Sequence, residues 1–186
     1  MREPTRNDNL RSMTETATRQ LIGIAIPTLK QLRAATIAGG ADAVDELREA
    51  GFAGGQAVYE AFEQWLGETC TSQDAQSASE LTIDEFGVCA ARYFRDAGWG
   101  AVEFETMEDE GVAALSMDNC WESDQHGIDA EPSCHITTGM LAAFFGKLAG
   151  YPVAVMETEC RSANGERCRF LLGNSAIMTY HWEKIR

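Results

Sequence analysis

Three cysteines and one glutamate in the last third of the chain have residue types and a spacing suited to a metal ion. Cys134 stands alone, and Glu157, Cys160 and Cys168 follow in the pattern Glu-x2-Cys-x7-Cys. A structural zinc ion needs four ligands in a tetrahedron, and thiolates are its commonest ligands in such sites. These side chains can hold Zn²⁺ if the fold brings them together.

The turn between the last two cysteines decides whether their sulfurs meet. If the loop is 163–165, with Gly165 in the left-handed conformation, Cys160 lies directly opposite Cys168. A two-residue Asn-Gly turn would instead pair residue 160 with residue 169 and direct the two sulfurs to opposite faces of the hairpin. The residues alone therefore leave two interpretations open, a zinc site or three buried thiols.

The surroundings of Cys134 favour a thiolate. It follows Pro132-Ser133 where a helix is predicted to start, and the free N–H groups of a helix start stabilise negative charge. Three thiolates and one carboxylate around Zn²⁺ would leave about two negative charges. We expect nearby cations to offset this charge, and the candidates are Arg161, Arg167 and Arg169.

The elements that must position these residues begin with a helical half. We predict a disordered tail over 1–13, followed by one domain over 14–186. A helix is expected from about Pro27, with Leu29, Leu32 and Ile37 facing the core. A short helix is expected to end at Gly51, with a separate helix over 52–66. Another helix is predicted over 82–97, opened by a capping box of Thr82 and Glu85.

After residue 98 the period of apolar residues changes from helical to alternating. We predict a hairpin of strands 101–108 and 111–118, a helix over 134–149, strands over 152–159 and 167–172, and a last helix over 174–184. This order is ββαββα. The predicted fold is α+β, with the helical N-terminal half packed on a four-stranded antiparallel sheet.

Charge and cysteine content narrow the classes of partner and the compartment. The net charge of −14 argues against nucleic acid and against an anionic membrane surface. The first residues are polar and show no export-signal pattern, so we expect a cytoplasmic protein with reduced thiols. Cys70, Cys89 and Cys120 have no metal spacing and are interpreted as ordinary thiols.

Three stretches of the chain resemble the 4-vinyl reductase (4VR) domain family: FAGGQAVYEAF, LTIDEFGVCAARYFRDAGWG, and the run from Cys134 to Gly173 that contains ETECRSANGERC. That family shares its fold with TRAPP trafficking subunits and with the sensor domains of aromatic-responsive bacterial activators. In those sensors, a cysteine at a helix start and a Glu-x2-Cys-x7-Cys hairpin bind zinc. The resemblance therefore implies a structural Zn²⁺ held by Cys134, Glu157, Cys160 and Cys168.

The resemblance also implies a small-molecule sensor or carrier for a hydrophobic or aromatic ligand. Two alternatives remain, an accessory protein of tetrapyrrole (bacteriochlorophyll) vinyl reduction and a ligand-free structural adaptor. The phenol sensors anchor their ligand with a tryptophan in a region where Ala113 stands here, so phenol specificity is not implied. The expected ligand pocket, between the 52–66 helix and the sheet, is lined by Phe62, Phe94, Phe144, Phe145 and Trp121.

No catalytic set is visible in the sequence, and we expect binding rather than catalysis. There is no P-loop, dinucleotide fingerprint or Ser-His-Asp pattern. His135 beside a predicted metal ligand is interpreted as a hydrogen-bonding neighbour, and the acidic residues near 103–110 as a solvated strand edge and turn. The apolar run over 21–26 (LIGIAI) predicts a homodimer, because a chain of this size has difficulty covering it alone.

Overall fold

The computed structural model describes residues 21–69, 77–105, 111–127 and 129–185. The predicted tail over 1–13 lies outside these residues. In chain order the elements are α1 (Ile26–Ile37), α2 (Ala43–Thr69), a 3-10 turn (Ala78–Glu80), α3 (Ile83–Asp96), β1 (Ala101–Glu105), β2 (Val112–Asp118), α4 (His135–Ala149), β3 (Ala154–Glu159), a 3-10 turn (Arg161–Ala163), β4 (Cys168–Gly173) and α5 (Ser175–Ile185). The predicted α+β fold with a ββαββα second half is confirmed.

The four strands form one antiparallel sheet in the order β1-β2-β4-β3. Alternate residues point to opposite faces of a strand. Leu115 and Met117 of β2 and Phe170 of β4 belong to the main core, together with buried residues of α2, α3 and α4. The other face carries a smaller apolar cluster around Leu171 and Met178, where α5 packs. β3 and β1 are the edges of the sheet.

Helices α2 and α4 pack closely because glycines stand where their backbones meet. A Cβ at Gly139 would overlap the carbonyl oxygen of Arg48 and lie 2.9 Å from the backbone nitrogen of Phe52. A Cβ at Gly51 would overlap the carbonyl oxygen of Ile136. The prediction that Gly51 ends a helix is therefore wrong. α2 runs unbroken from Ala43 to Thr69, and its glycine permits contact with α4 rather than a turn.

Helix α1 differs from its prediction. It begins near Pro27, as expected, but it contains no buried residue, and Leu32 and Ile37 are 58% and 41% exposed. The inward orientation predicted for these two side chains is wrong. Polar contacts attach α1 to the rest of the domain. Lys30 Nζ donates to the carbonyl oxygen of Ser123 at 3.1 Å, and Arg33 pairs with the buried Glu122 at 3.2 Å.

The capping box that starts α3 is confirmed. Thr82 Oγ1 accepts from the backbone N–H of Glu85 at 3.3 Å, and Glu85 Oε2 accepts from the backbone N–H of Thr82 at 3.0 Å. Two of the orphan N–H donors at this helix start are thereby satisfied.

The arginines expected beside the metal ligands lie elsewhere. Arg169 makes a two-pronged pair with Glu105, and Arg167 contacts Glu103 at 3.5 Å, both on the sheet face opposite Cys168. Arg169 is the main cause that holds the pKa of Glu105 below its usual range. Neighbouring strand residues point to opposite faces, so a cysteine directed at the core places its two neighbours away from it. Arg161 donates to Asn119 Oδ1 at 2.9 Å. The predicted charge compensation by Arg167 and Arg169 is therefore wrong.

Cys89 is disulfide-bonded, so the expectation of an ordinary thiol is wrong at this position. The other half of this bond lies outside the described residues. Cys120, Cys134, Cys160 and Cys168 are free thiols and all four are buried. Within the described ranges, no helix combines the length and the apolar character needed to cross a membrane.

Candidate functional site

Cys134 is the residue that caps the N-terminus of α4. A buried carboxylate fixes this helix start. Glu122 accepts from the backbone N–H groups of Ile136 at 3.0 Å and Thr137 at 2.8 Å, and from Thr137 Oγ1 at 2.9 Å. Burial raises the pKa of Glu122, while the donors and Arg33 counteract that shift. Sequence reasoning missed Glu122, because a cap that comes from a loop outside the helix has no local spacing signature.

The hairpin that carries the other ligands has a different turn from the predicted one. After β3 the chain makes the 3-10 turn Arg161–Ala163, and Asn164, not Gly165, is left-handed (φ 64°). Glu159 pairs with Arg169, after a bulge between Glu157 and Glu159. This register places Cys160, the next residue, across from Cys168. The predicted proximity of the two cysteines is obtained through an asparagine that tolerates the left-handed conformation.

The three sulfurs are close to the spacing that a tetrahedral zinc site requires. The Sγ of Cys134 lies 3.8 Å from that of Cys160 and 3.6 Å from that of Cys168, and the sulfurs of Cys160 and Cys168 are 4.0 Å apart. A Zn–S bond of about 2.3 Å with tetrahedral angles corresponds to sulfur–sulfur separations of about 3.8 Å. The ligand atoms of these cysteines and of Glu157 all lie within 4.8 Å of one another.

Glu157 supplies a second sign that a cation fits this cluster. Its Oε2 accepts from the backbone N–H of Cys134 at 2.8 Å. Its Oε1 is buried and has no hydrogen-bond partner among the residues that the structure describes. Burial, together with the neighbouring Cys160, raises the pKa of Glu157 to about 8. A buried oxygen without a donor is costly, and a metal ion would satisfy it. The four side chains therefore fit Zn²⁺, and the metal site itself stays a prediction.

A cleft of about 710 Å³ opens beside this cluster. Its apolar wall consists of Phe52, Ala53, Pro132, Ala142, Ala154, Val155, Met156 and Trp182, and its polar residues include Arg48, Glu49, Glu131 and His135. Glu157 also lines it. Burial, helped by Arg48, lowers the pKa of His135 to about 4, so this imidazole is neutral at pH 7. A neutral histidine among mostly apolar residues suits ligand binding.

The structure brings together four of the five predicted pocket residues. Phe144 is in ring contact with Phe62 at 5.5 Å, Phe94 at 5.2 Å and Phe145 at 5.2 Å between centroids. Phe62, Phe94 and Phe144 are fully buried. Trp121 instead packs edge to face on Trp99, at 6.0 Å. The small residues Gly55 and Gly139, predicted to line a cavity, stand at the close contact of α2 with α4. Sequence reasoning missed the cleft on the other side of this contact.

Fold and site together define a class, an α+β domain that carries a cysteine-rich candidate metal centre between α4 and the following hairpin. Residues 114–174, which contain all four predicted ligands, match the family model of the vinyl-4-reductase domain. The recognised resemblance to 4-vinyl reductase domains is thereby confirmed for this part of the chain. No curated protein matches the sequence.

Solved structures of similar fold include the phenol-responsive sensory domain of the transcription activator PoxR with phenol, at TM-score 0.64 and 17% identity over 82% of this chain and 76% of that chain. A trafficking protein particle complex subunit 3 from Naegleria fowleri, covalently bound to palmitic acid, has TM-score 0.58 and 11% identity over 80% and 91%. A vinyl-4-reductase family protein from Methanocaldococcus jannaschii has TM-score 0.46 and 16% identity over 92% and 96%. At these identities the likenesses show the fold alone.

Proposed function

We propose that this domain binds a small hydrophobic or aromatic molecule and carries a structural Zn²⁺ ion. The observation that carries the proposal is the cleft of about 710 Å³, whose wall is mostly apolar and whose lining includes Glu157 of the cysteine cluster. This volume lies within the few hundred to about 1,000 Å³ usual for small-molecule sites. That one neighbour of similar fold is a phenol-responsive sensory domain supports the same class of ligand.

The proposed zinc joins the Cys160–Cys168 hairpin to the start of α4. The sulfur spacings and the unpartnered Glu157 Oε1 support it. Bound there, the ion would connect parts of the chain that are distant in sequence, as structural zinc ions do. Thiols must stay reduced to bind a metal, so a cytoplasmic location is part of the proposal.

Blocking the cleft is expected to abolish ligand binding. An Ala142→Trp variant would fill the cleft with an indole, and we expect phenol to bind it at least about tenfold more weakly, a difference of about 1.4 kcal/mol. Isothermal titration or a phenol-induced thermal shift measures this. Val88→Trp, at an exposed position of α3, is the matched control and should bind like the parent.

Two other outcomes would change the proposal. Loss of binding in Phe144→Leu but not in Ala142→Trp would place the ligand in the buried aromatic cluster that the sequence predicted. A Soret-region absorbance on titration with a porphyrin, without a response to phenol, would favour a tetrapyrrole. If none of these molecules binds, a ligand-free adaptor is the better interpretation.

We also propose that the domain forms a homodimer through the segment 21–26 and α1. Leu21, Ile22, Ile24 and Ile26 are all exposed, and Ile22 is 81% accessible. Since contiguous exposed apolar side chains usually mark an interface, a second copy is the proposed cover.

Glutamates in this segment are expected to separate the two copies. The double variant Ile24→Glu/Ile26→Glu should have half the parent's mass by light scattering at micromolar concentration and should keep its metal. Ile83→Glu, at an exposed apolar position of α3, is the control and should remain a dimer. A parent whose mass equals one chain at every concentration would contradict the proposal.

A further inference from the structure

Cys120 lies beside the predicted metal ligands. Its Sγ is 3.8 Å from the Sγ of Cys134, and its side chain is buried. This separation equals that between the sulfurs of Cys134 and Cys160. Cys168 is a further hydrogen-bonding neighbour of Cys120. The four thiols therefore form one continuous cluster, although the spacing of Cys120 in the sequence resembles no metal motif.

The neighbours of the Cys120 thiol are few. Besides the two cysteines, Thr137 Oγ1 lies 3.7 Å from its sulfur. That hydroxyl donates its proton to Glu122 Oε2 at 2.9 Å, so it can only accept from Cys120. The sulfur of Cys120 is thus bound by weak contacts that a metal–thiolate bond would easily replace.

Glu157 is the ligand best able to leave the cluster. It is the single oxygen donor of the predicted set and lines the open cleft, whereas the three cysteines are fully enclosed. After leaving a metal, its Oε2 would still have the backbone N–H of Cys134 as a partner. Thiophilic ions prefer sulfur to carboxylate oxygen, so such an ion favours this exchange.

We propose that Cys120 is a reserve ligand: with a thiophilic divalent ion such as Cd²⁺, it replaces Glu157 and completes a four-thiolate site with Cys134, Cys160 and Cys168. This inference rests on the proposed metal centre. Zn²⁺ retains the three thiolates and the carboxylate. The domain therefore has two overlapping sets of ligands that share three cysteines.

Cadmium reconstitution under reducing, oxygen-free conditions tests the inference. The sulfur-to-cadmium charge-transfer absorbance per bound Cd²⁺ increases with the number of thiolate ligands. We expect Cys120→Ser to bind one Cd²⁺ per chain with about one quarter less absorbance than the parent, as expected for three thiolates instead of four. Glu157→Gln should retain the full intensity of the parent. Cys120→Ala, checked by circular dichroism, should match Cys120→Ser.

Equal absorbance of Cys120→Ser and the parent would overturn the inference but leave the zinc proposal intact. Loss of all cadmium from Cys120→Ser would also overturn it, because Cys120 would then be obligatory rather than a reserve. A folded parent that binds neither Zn²⁺ nor Cd²⁺ would overturn the proposed metal centre itself, and the reserve role with it.

Discussion

Replacing Cys168 by serine is expected to remove the zinc ion and to lower the melting temperature by roughly 10 °C or more. Cys168 is fully buried, and its sulfur lies within 4.0 Å of both other cysteines of the predicted set. The binding free energy of a structural zinc, on the order of 10 kcal/mol in small domains, is also folding free energy. Elemental analysis of protein purified under reducing conditions, with thermal unfolding, measures both effects.

Cys120→Ser is the matched control for this experiment. It makes the same chemical change at another buried cysteine of the cluster, but one outside the predicted zinc set. We expect it to retain one zinc per chain and most of the parent's stability. A parent without zinc, or a Cys168→Ser variant that keeps both metal and stability, would show that the cluster is only a group of buried thiols.

Gly139→Ala is expected to destabilise the domain by about 3 kcal/mol or more, at the upper end of the usual cost of overpacking. The added methyl group would overlap the backbone oxygen of Arg48, and no side-chain rotation can move a backbone atom out of its way. Helices α2 and α4 must then separate, which also disturbs the helix start that carries Cys134. Denaturant unfolding measures the free energy of unfolding.

Gly54→Ala makes the same change on α2, where an added Cβ has no neighbour within 4 Å. It should leave stability unchanged or increase it by up to about 1 kcal/mol, because alanine favours a helix over glycine. Equal effects of the two variants would mean that helix propensity, not the close contact of α2 and α4, determines the role of Gly139.

Several elements of the fold were predictable because local rules determine them. The Thr82–Glu85 capping box starts α3 at the expected residue, and β1 and β2 begin within a residue of their predicted starts. α4 was predicted over 134–149 and is observed from His135 to Ala149, with Cys134 as its cap. In each case the decisive interaction lies within a few residues along the chain, so the sequence pattern contains it.

The errors concern residues whose partners are distant in the chain. Gly51 looks like a helix end, but the partner that requires it is Ile136 in α4. Leu32 and Ile37 have the spacing of a buried face, yet α1 is attached through Lys30 and Arg33 instead. Periodicity reports the apolar face of a helix and does not report what covers it.

For the candidate site, the sequence by itself determined which residues can bind a metal. The types and spacing of Cys134, Glu157, Cys160 and Cys168 are sufficient to propose zinc. Only the tertiary structure decided the sulfur separations, the unpartnered oxygen of Glu157, and the presence of Cys120 and Glu122 around the start of α4. The reason is physical: ligand chemistry belongs to each side chain, whereas distances depend on how the α4 start, the β3–β4 hairpin and the loop after β2 pack together.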